Sequence, residues 1–230
     1  MIRKTRAFIG TLVAASLTLL APSGVATAQA QHLQAGDIFA ACEAAAIATS
    51  SALRTGKHTR MWCAVVDREG KLLLVRATDT GGTPDAPLGS DAWRGSIEIA
   101  IAKAYTAVAF SSNEQALDSK TIGLLSRPDG PGSTAAGNIG TNAGVAPLFG
   151  LGNTNPFRPP TGFPADDTAG LRHHGIVTFA GGQPVYSNPD EGPCGGGVLL
   201  GAVGVSGDGV DQDDAVAKAA VLNAGFCLSP

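Results

Sequence analysis

Residues Val198 to Ser206 read VLLGAVGVS, apolar throughout except for the final serine and interrupted only by Gly201 and Gly204. A strand with no polar face is buried on both sides, so this one belongs inside a sheet covered by other elements above and below. Glycine weakens a strand unless another backbone needs the room, so Gly201 and Gly204 mark a close approach by a neighbour. The rest of the chain is therefore expected to supply a layer on each side.

The flanking segments carry the periodicities for such layers. Ile38, Phe39, Cys42, Ala46 and Leu53 recur at helical spacing, which predicts an amphipathic helix from Asp37 to Arg54 closed by Gly56. Trp62 to Asp67 and Lys71 to Ala77 are short strand-like runs, joined as a hairpin through Arg68, Glu69 and Gly70. From Ser90 to Ala109 the residues Trp93, Ile97, Ile101, Ala104, Tyr105 and Val108 share one helical face, with Ser90 or Asp91 placed to cap it. A further helix is expected at Asn113 to Leu125. Ile176 to Phe179 and Gln183 to Ser187, linked through Gly181 and Gly182, read as a second hairpin. A last helix is expected at Asp211 to Ala224, with Ala215, Ala219 and Leu222 as its inner stripe. Hairpins dominate this order and strands do not alternate with helices. The predicted class is α/β of the α+β kind, a five-stranded antiparallel sheet packed with helices.

Two segments stand apart. Arg3, Lys4 and Arg6 precede an uncharged, mostly apolar run from Ala7 to Leu20, and Ala28 and Ala30 supply the small residues that precede a cleavage site before Gln31. This is the pattern of a signal peptide over residues 1–30, and it predicts a secreted or periplasmic mature chain, 31–230, with a single domain. The apolar run is shorter than the roughly 18 to 20 residues of a membrane helix, and no membrane span is expected in the mature chain. The second segment, at about 126–172, holds nine glycines and seven prolines without sustained periodicity. Its Leu148, Phe149, Phe157 and Phe163 would be costly to expose, so it is expected to cover the body or a sister subunit.

Composition narrows the chemistry. The leader carries three of the basic residues and no acidic one, so the mature chain is more acidic than the formal charge of −3 for the whole, and nucleic acid is a poor partner. Four cysteines, Cys42, Cys63, Cys194 and Cys227, lack Cys-x-x-Cys spacing, which gives no support to a structural zinc or thioredoxin-like site. In an oxidising compartment they permit three full pairings. If the last helix returns antiparallel along the central strand, Cys227 ends near Cys42, which makes Cys42–Cys227 the preferred bridge. The glycine-rich stretch from Val203 to Asp211 does not match G-x-G-x-x-G, and its Asp208, Asp211, Asp213 and Asp214 occupy the helix end that a phosphate would need. Capping of the last helix is the simpler role for these carboxylates. Ser206 lies between glycines but outside a G-x-S-x-G pattern.

Several short motifs occur in a telling order. Val65 to Asp67 (VVD) with Gly70 to Leu73 (GKLL), Ala102 to Ala107 (AKAYTA), Gly181 to Val185 (GGQPV), Gly201 to Gly207 (GAVGVSG) and Asp211 to Ala215 (DQDDA) together resemble the GlcG/HbpS family of haem-binding proteins. The resemblance runs from about Phe39 to Ala224. It implies a profilin-like α-β-α sandwich, assembly into homo-oligomers, haem as the cofactor and, for one type of relative, a sensor-protein partner.

A haem site needs an apolar slot, an axial donor and cationic or hydroxyl groups for the propionates. The mature chain offers His32, His58, His173 and His174. His173 and His174 follow Arg172 at the junction of the long loop and the sheet, which makes them the metal-ligand candidates, with Arg172 for a propionate. Alternation in an extended segment allows at most one of the pair to face iron. A solvated histidine pair is the plainer alternative. Lys103 is placed by periodicity on the polar flank of the long helix, either as a snorkelling surface lysine or as a pocket residue pairing a carboxylate. Arg76 is either half of an exposed ion pair with Asp79 or a ligand-binding group. Three functions remain open: a haem or small-ligand binder, an enzyme or accessory factor for a small hydroxy acid with Lys103 and Arg76 as anion-binding groups, and an oligomeric sensory protein.

Overall fold

The computed structural model describes residues 32–78, 95–126, 175–189 and 192–230. In chain order the elements are α1 (Ala35–Ala48), β1 (Trp62–Asp67), β2 (Leu72–Ala77), α2 (Ser96–Ala109), α3 (Ser119–Leu125), β3 (Gly182–Tyr186), β4 (Leu199–Ser206) and α4 (Val210–Asn223). The strands form one antiparallel sheet in the order β2-β1-β4-β3. β4 is internal, as its unbroken apolar run requires.

Alternation along the strands divides the core in two. Cys63, Val65, Val203 and Val205 turn toward α1 and α4, where they meet Ile38, Cys42, Ala46, Val216, Ala217 and Val221. Trp62, Ala64, Val66 and Ala202 turn the other way, against Ala100, Ile101, Ala104 and Val108 of α2. The result is an α-β-α sandwich. On the α2 side the layers come very close: a Cβ at Gly204 would lie 1.9 Å from the Ala100 carbonyl oxygen and 2.5 Å from the Ala104 nitrogen. That is the close approach the strand glycine announced.

Four expectations are corrected. Among the described residues the sheet has four strands, not five, because Ile176 to Phe179 is not a strand. Its backbone serves helices instead: the Val177 N–H donates to Thr106 Oγ1 at 2.8 Å, and Gly123 of α3 sits against the Thr178 carbonyl. The first helix stops at Ala48, and Leu53, placed on its inner stripe, is 53% exposed. The third helix begins at Ser119, where the Asp118 carboxylate accepts from the Thr121 N–H at 2.6 Å, and residues 113–118 are irregular. The inner stripe of α4 is Asp213, Val216, Ala217, Ala220 and Val221, whereas Ala215 and Leu222 face outward. Assuming that the aspartates face water selects the wrong side of this helix.

The disulfide expectation is corrected as well. Cys227 is bonded to Cys194, with Cα atoms 5.6 Å apart, while Cys42 and Cys63 are free thiols. After α4 the chain turns at Gly225 and lays Cys227 beside Tyr186, exchanging two backbone hydrogen bonds of 2.9 and 3.0 Å. Cys227 thus packs with Tyr186, Leu199 and Ala202 at the outer side of β3, across the sheet from the layer that holds Cys42. The segment 1–30, expected to be a leader, and all but the first residue of the glycine- and proline-rich segment 126–172 lie outside the described residues. No helix among the described residues is long and apolar enough to cross a membrane.

Candidate functional site

The α2 face carries a buried charge. Lys103 is fully buried, and its ammonium donates to Asp213 Oδ2 at 2.6 Å and to the Val205 carbonyl at 2.9 Å. The Phe179 ring covers the same group, its centroid 5.1 Å from Nζ. The two hydrogen bonds engage two of the three N–H donors of the ammonium, and the ring covers it as a cation–π contact. Of the two roles open to Lys103, the structure takes the carboxylate-paired one; the polar-flank placement is wrong because α2 is buried almost all round. Dehydration pulls the Lys103 pKa below its usual value and pushes the Asp213 carboxyl above its own, each against the attraction of its partner.

The surrounding backbone is shaped to this pair. A Cβ on Gly181, whose φ is +109°, would lie 2.9 Å from the Lys103 Nζ and 2.6 Å from the Val205 oxygen. Only glycine satisfies both the conformation and the space. Ser119 of α3 ties the same turn down, donating to the Phe179 carbonyl at 2.7 Å and accepting from the Gly182 N–H at 2.9 Å. Asp213 Oδ1 also accepts from the Asp208 N–H at 3.2 Å. Next to it, Asp214 accepts from buried Gln183 Nε2 at 2.8 Å and from Lys218 Nζ at 2.8 Å.

The carboxylates of the glycine-rich stretch therefore do not act as N-caps. The N-cap of α4 is Gly209, with no side-chain cap bond. Asp208 instead holds the turn after α1, accepting from Ser51 Oγ at 2.5 Å and the Ala52 N–H at 2.7 Å. Asp213 is the residue that sequence reasoning missed. Its signal was periodic: 213, 216, 217, 220 and 221 fall on one helical stripe, so a carboxylate at 213 is carried inward with the apolar residues.

Arg76 is not part of this cluster. It faces the same side of the sheet as its cross-strand partner Cys63, and its guanidinium carbon lies 5.8 Å from the Phe39 ring centroid beside α1. Lys103 and Arg76 are thus on opposite sides of the sheet and form no joint anion site. Arg172, His173, His174 and Asp79 lie outside the described residues. Of the other histidines, His32 is exposed near the start of the described chain, and His58 sits in the α1–β1 turn with its backbone paired to Ser50. Ser206 ends β4, buried, opposite Trp62.

For a planar apolar group the described surface offers a half-exposed aromatic ring near the Lys103–Asp213 pair. Phe179 keeps 40% of its surface exposed while Lys103 lies against the ring, and Leu124 of α3 is 39% exposed. Both flank the seam where Gly123 meets Thr178. A half-exposed aromatic ring on a rigid base suits stacking by a macrocycle. The ammonium beneath is already neutralised by Asp213, so propionates need another cation.

Comparison with known proteins places the chain in a class. The family model for HbpS-like haem degrading proteins matches residues 37–222, and the chain belongs to that family. Among solved structures, the Klebsiella pneumoniae protein ORFY aligns with a TM-score of 0.50 at 22% identity, covering 94% of this chain and 97% of that one. The PduOC–haem complex aligns with a TM-score of 0.50 at 20% identity, covering 87% of this chain and all of that one. These likenesses agree with the sandwich described above. No curated protein matches the sequence.

Proposed function

We propose that the mature chain is an exported haem-binding protein that works as a homo-oligomer. The observation that carries this is the half-exposed Phe179 ring, fixed over the Lys103–Asp213 pair, in a chain whose family match spans 37–222. The haem named in the solved PduOC complex supports the same ligand class. The export pattern of residues 1–30 supports a location outside the cytoplasm, where a sensor protein is a natural partner. His173 or His174 is the proposed iron ligand and Arg172 the proposed propionate partner. Haem chemistry, if bound, comes from the iron; the chain supplies the axial donor, the stacking surface and exclusion of water.

Titration of haemin into the cleaved protein tests this. A saturable, shifted Soret band is expected, weakened by His173→Ala or His174→Ala and by Phe179→Ala. Absence of a shift at stoichiometric haemin removes the proposal. The family description also names haem degradation. Following the same band with a reductant and oxygen separates the two activities, because a binder keeps its Soret absorbance and a degrading protein loses it.

A further inference from the structure

Cys42 and Cys63 are the cysteines left outside the disulfide, and both are fully buried. They belong to different elements: Cys42 to the sheet-facing stripe of α1, Cys63 to β1, opposite Val205 of β4. Both side chains belong to the same buried apolar layer, which includes Ile38, Ala46 and Val205. Two thiols facing one another across a helix–strand interface can be bridged once their Cα atoms stand about 4.4–6.8 Å apart.

We propose that Cys42 and Cys63 are a second disulfide site, open as thiols here and closed by oxidation to join α1 to β1. The reaction is exchange with a small disulfide such as oxidised glutathione. One cysteine thiolate attacks a glutathione sulfur, breaks its S–S bond and releases one glutathione thiolate. The second cysteine thiolate then attacks the cysteine sulfur of that mixed disulfide, forming the Cys42–Cys63 bond and releasing the second glutathione. The pair gives up two electrons and two protons, which the small disulfide takes up.

Access is through α1. Of its buried residues, Ile38, Cys42, Ala45 and Ala46, three are small, and Gln34 caps it without a side-chain hydrogen bond. At its end, Thr59 Oγ1 donates to the Ala46 carbonyl at 2.8 Å. Movement of α1 away from β1 is the opening that would admit the small disulfide. While it is shut, the neighbouring Cys63 side chain and burial hold the Cys42 thiol well above its usual range, so reaction waits for opening. Closure of the bond then removes that opening.

The test uses the mature wild-type chain with Cys194–Cys227 intact, incubated with oxidised glutathione just below its thermal transition and mapped without reduction. A peptide pair linking Cys42 to Cys63 is expected, with loss of both free thiols and about tenfold slower amide exchange in α1. In Cys63→Ala, Cys42 is expected to stop at the glutathione adduct. Stable single adducts on wild-type protein, thiols that persist after the α1 amides have exchanged, or linkage of Cys42 to Cys194 or Cys227 would each overturn the proposal.

Discussion

The two sides of the sheet are held by different means. Toward α1 and α4 the interior is valine, isoleucine, alanine and two thiols, a layer whose stability comes from apolar area removed from water. Toward α2 the helix lies so near the strands that glycine faces its backbone, and polar pins complete the contact: Lys103 on Asp213 and Val205, Thr106 on Val177, Ser119 on Phe179 and Gly182. The first side supports the fold. The second also fixes a turn and a half-exposed aromatic ring, which is why the proposed ligand surface is placed there.

The sharpest way to break this contrast is to remove the charge pairing. Asp213→Ala leaves the Lys103 ammonium buried without its carboxylate, and a loss of about 3–5 kcal/mol in urea unfolding is expected. Replacing both, Lys103→Met with Asp213→Leu, is expected to recover most of that loss, because dehydration of the pair is no longer incurred. The pH dependence has a defined sign. Asp213 binds its proton more tightly folded than unfolded, so its contribution declines as pH rises from the ordinary carboxylate range through the raised value. Lys103 releases its proton more readily folded, so its contribution recovers as pH rises from the lowered value toward 10.5. The double variant should lack both slopes.

A smaller effect tests the close approach. Gly204→Ala puts a methyl group against the Ala100 carbonyl, which cannot yield without moving α2, and about 3 kcal/mol is expected to be lost. A loss below about 1 kcal/mol would mean that the helix has slack and that the contrast between the faces is overstated. The smallest effect concerns Asp208. Burial acts to raise its pKa, but hydrogen bonds from Ser51, Gly209 and Ala52 outweigh it and leave the carboxyl below its usual value. The stabilisation is present above the unfolded pKa and is lost as pH falls through the folded one. Asp208→Asn should flatten that acid-side decline without altering the alkaline limb.

Much of the architecture was legible from residue order. The internal position of β4, the first hairpin and the long helix followed from alternation and helical spacing, since those patterns record which face is buried. The errors cluster where polar residues are buried. Read singly, Asp213 looks like a surface residue and Lys103 fits either a surface or a paired buried role; in the fold each is the reason the other can be inside. The Ile176 to Phe179 run has strand composition, yet its hydrogen bonds go to Thr106 and to the neighbourhood of α3, which no local pattern records.

By itself the sequence determined a sheet with an enclosed glycine-bearing strand, helices on two sides and a family resemblance that the match over 37–222 bears out. Tertiary structure alone decided the Cys194–Cys227 pairing, the separation of Arg76 from Lys103 and the meeting of Lys103 with Asp213. The division has a physical cause. Periodicity encodes which side of an element avoids water, whereas the partner of a buried charge or a sulfur is set by distances between segments far apart in the chain.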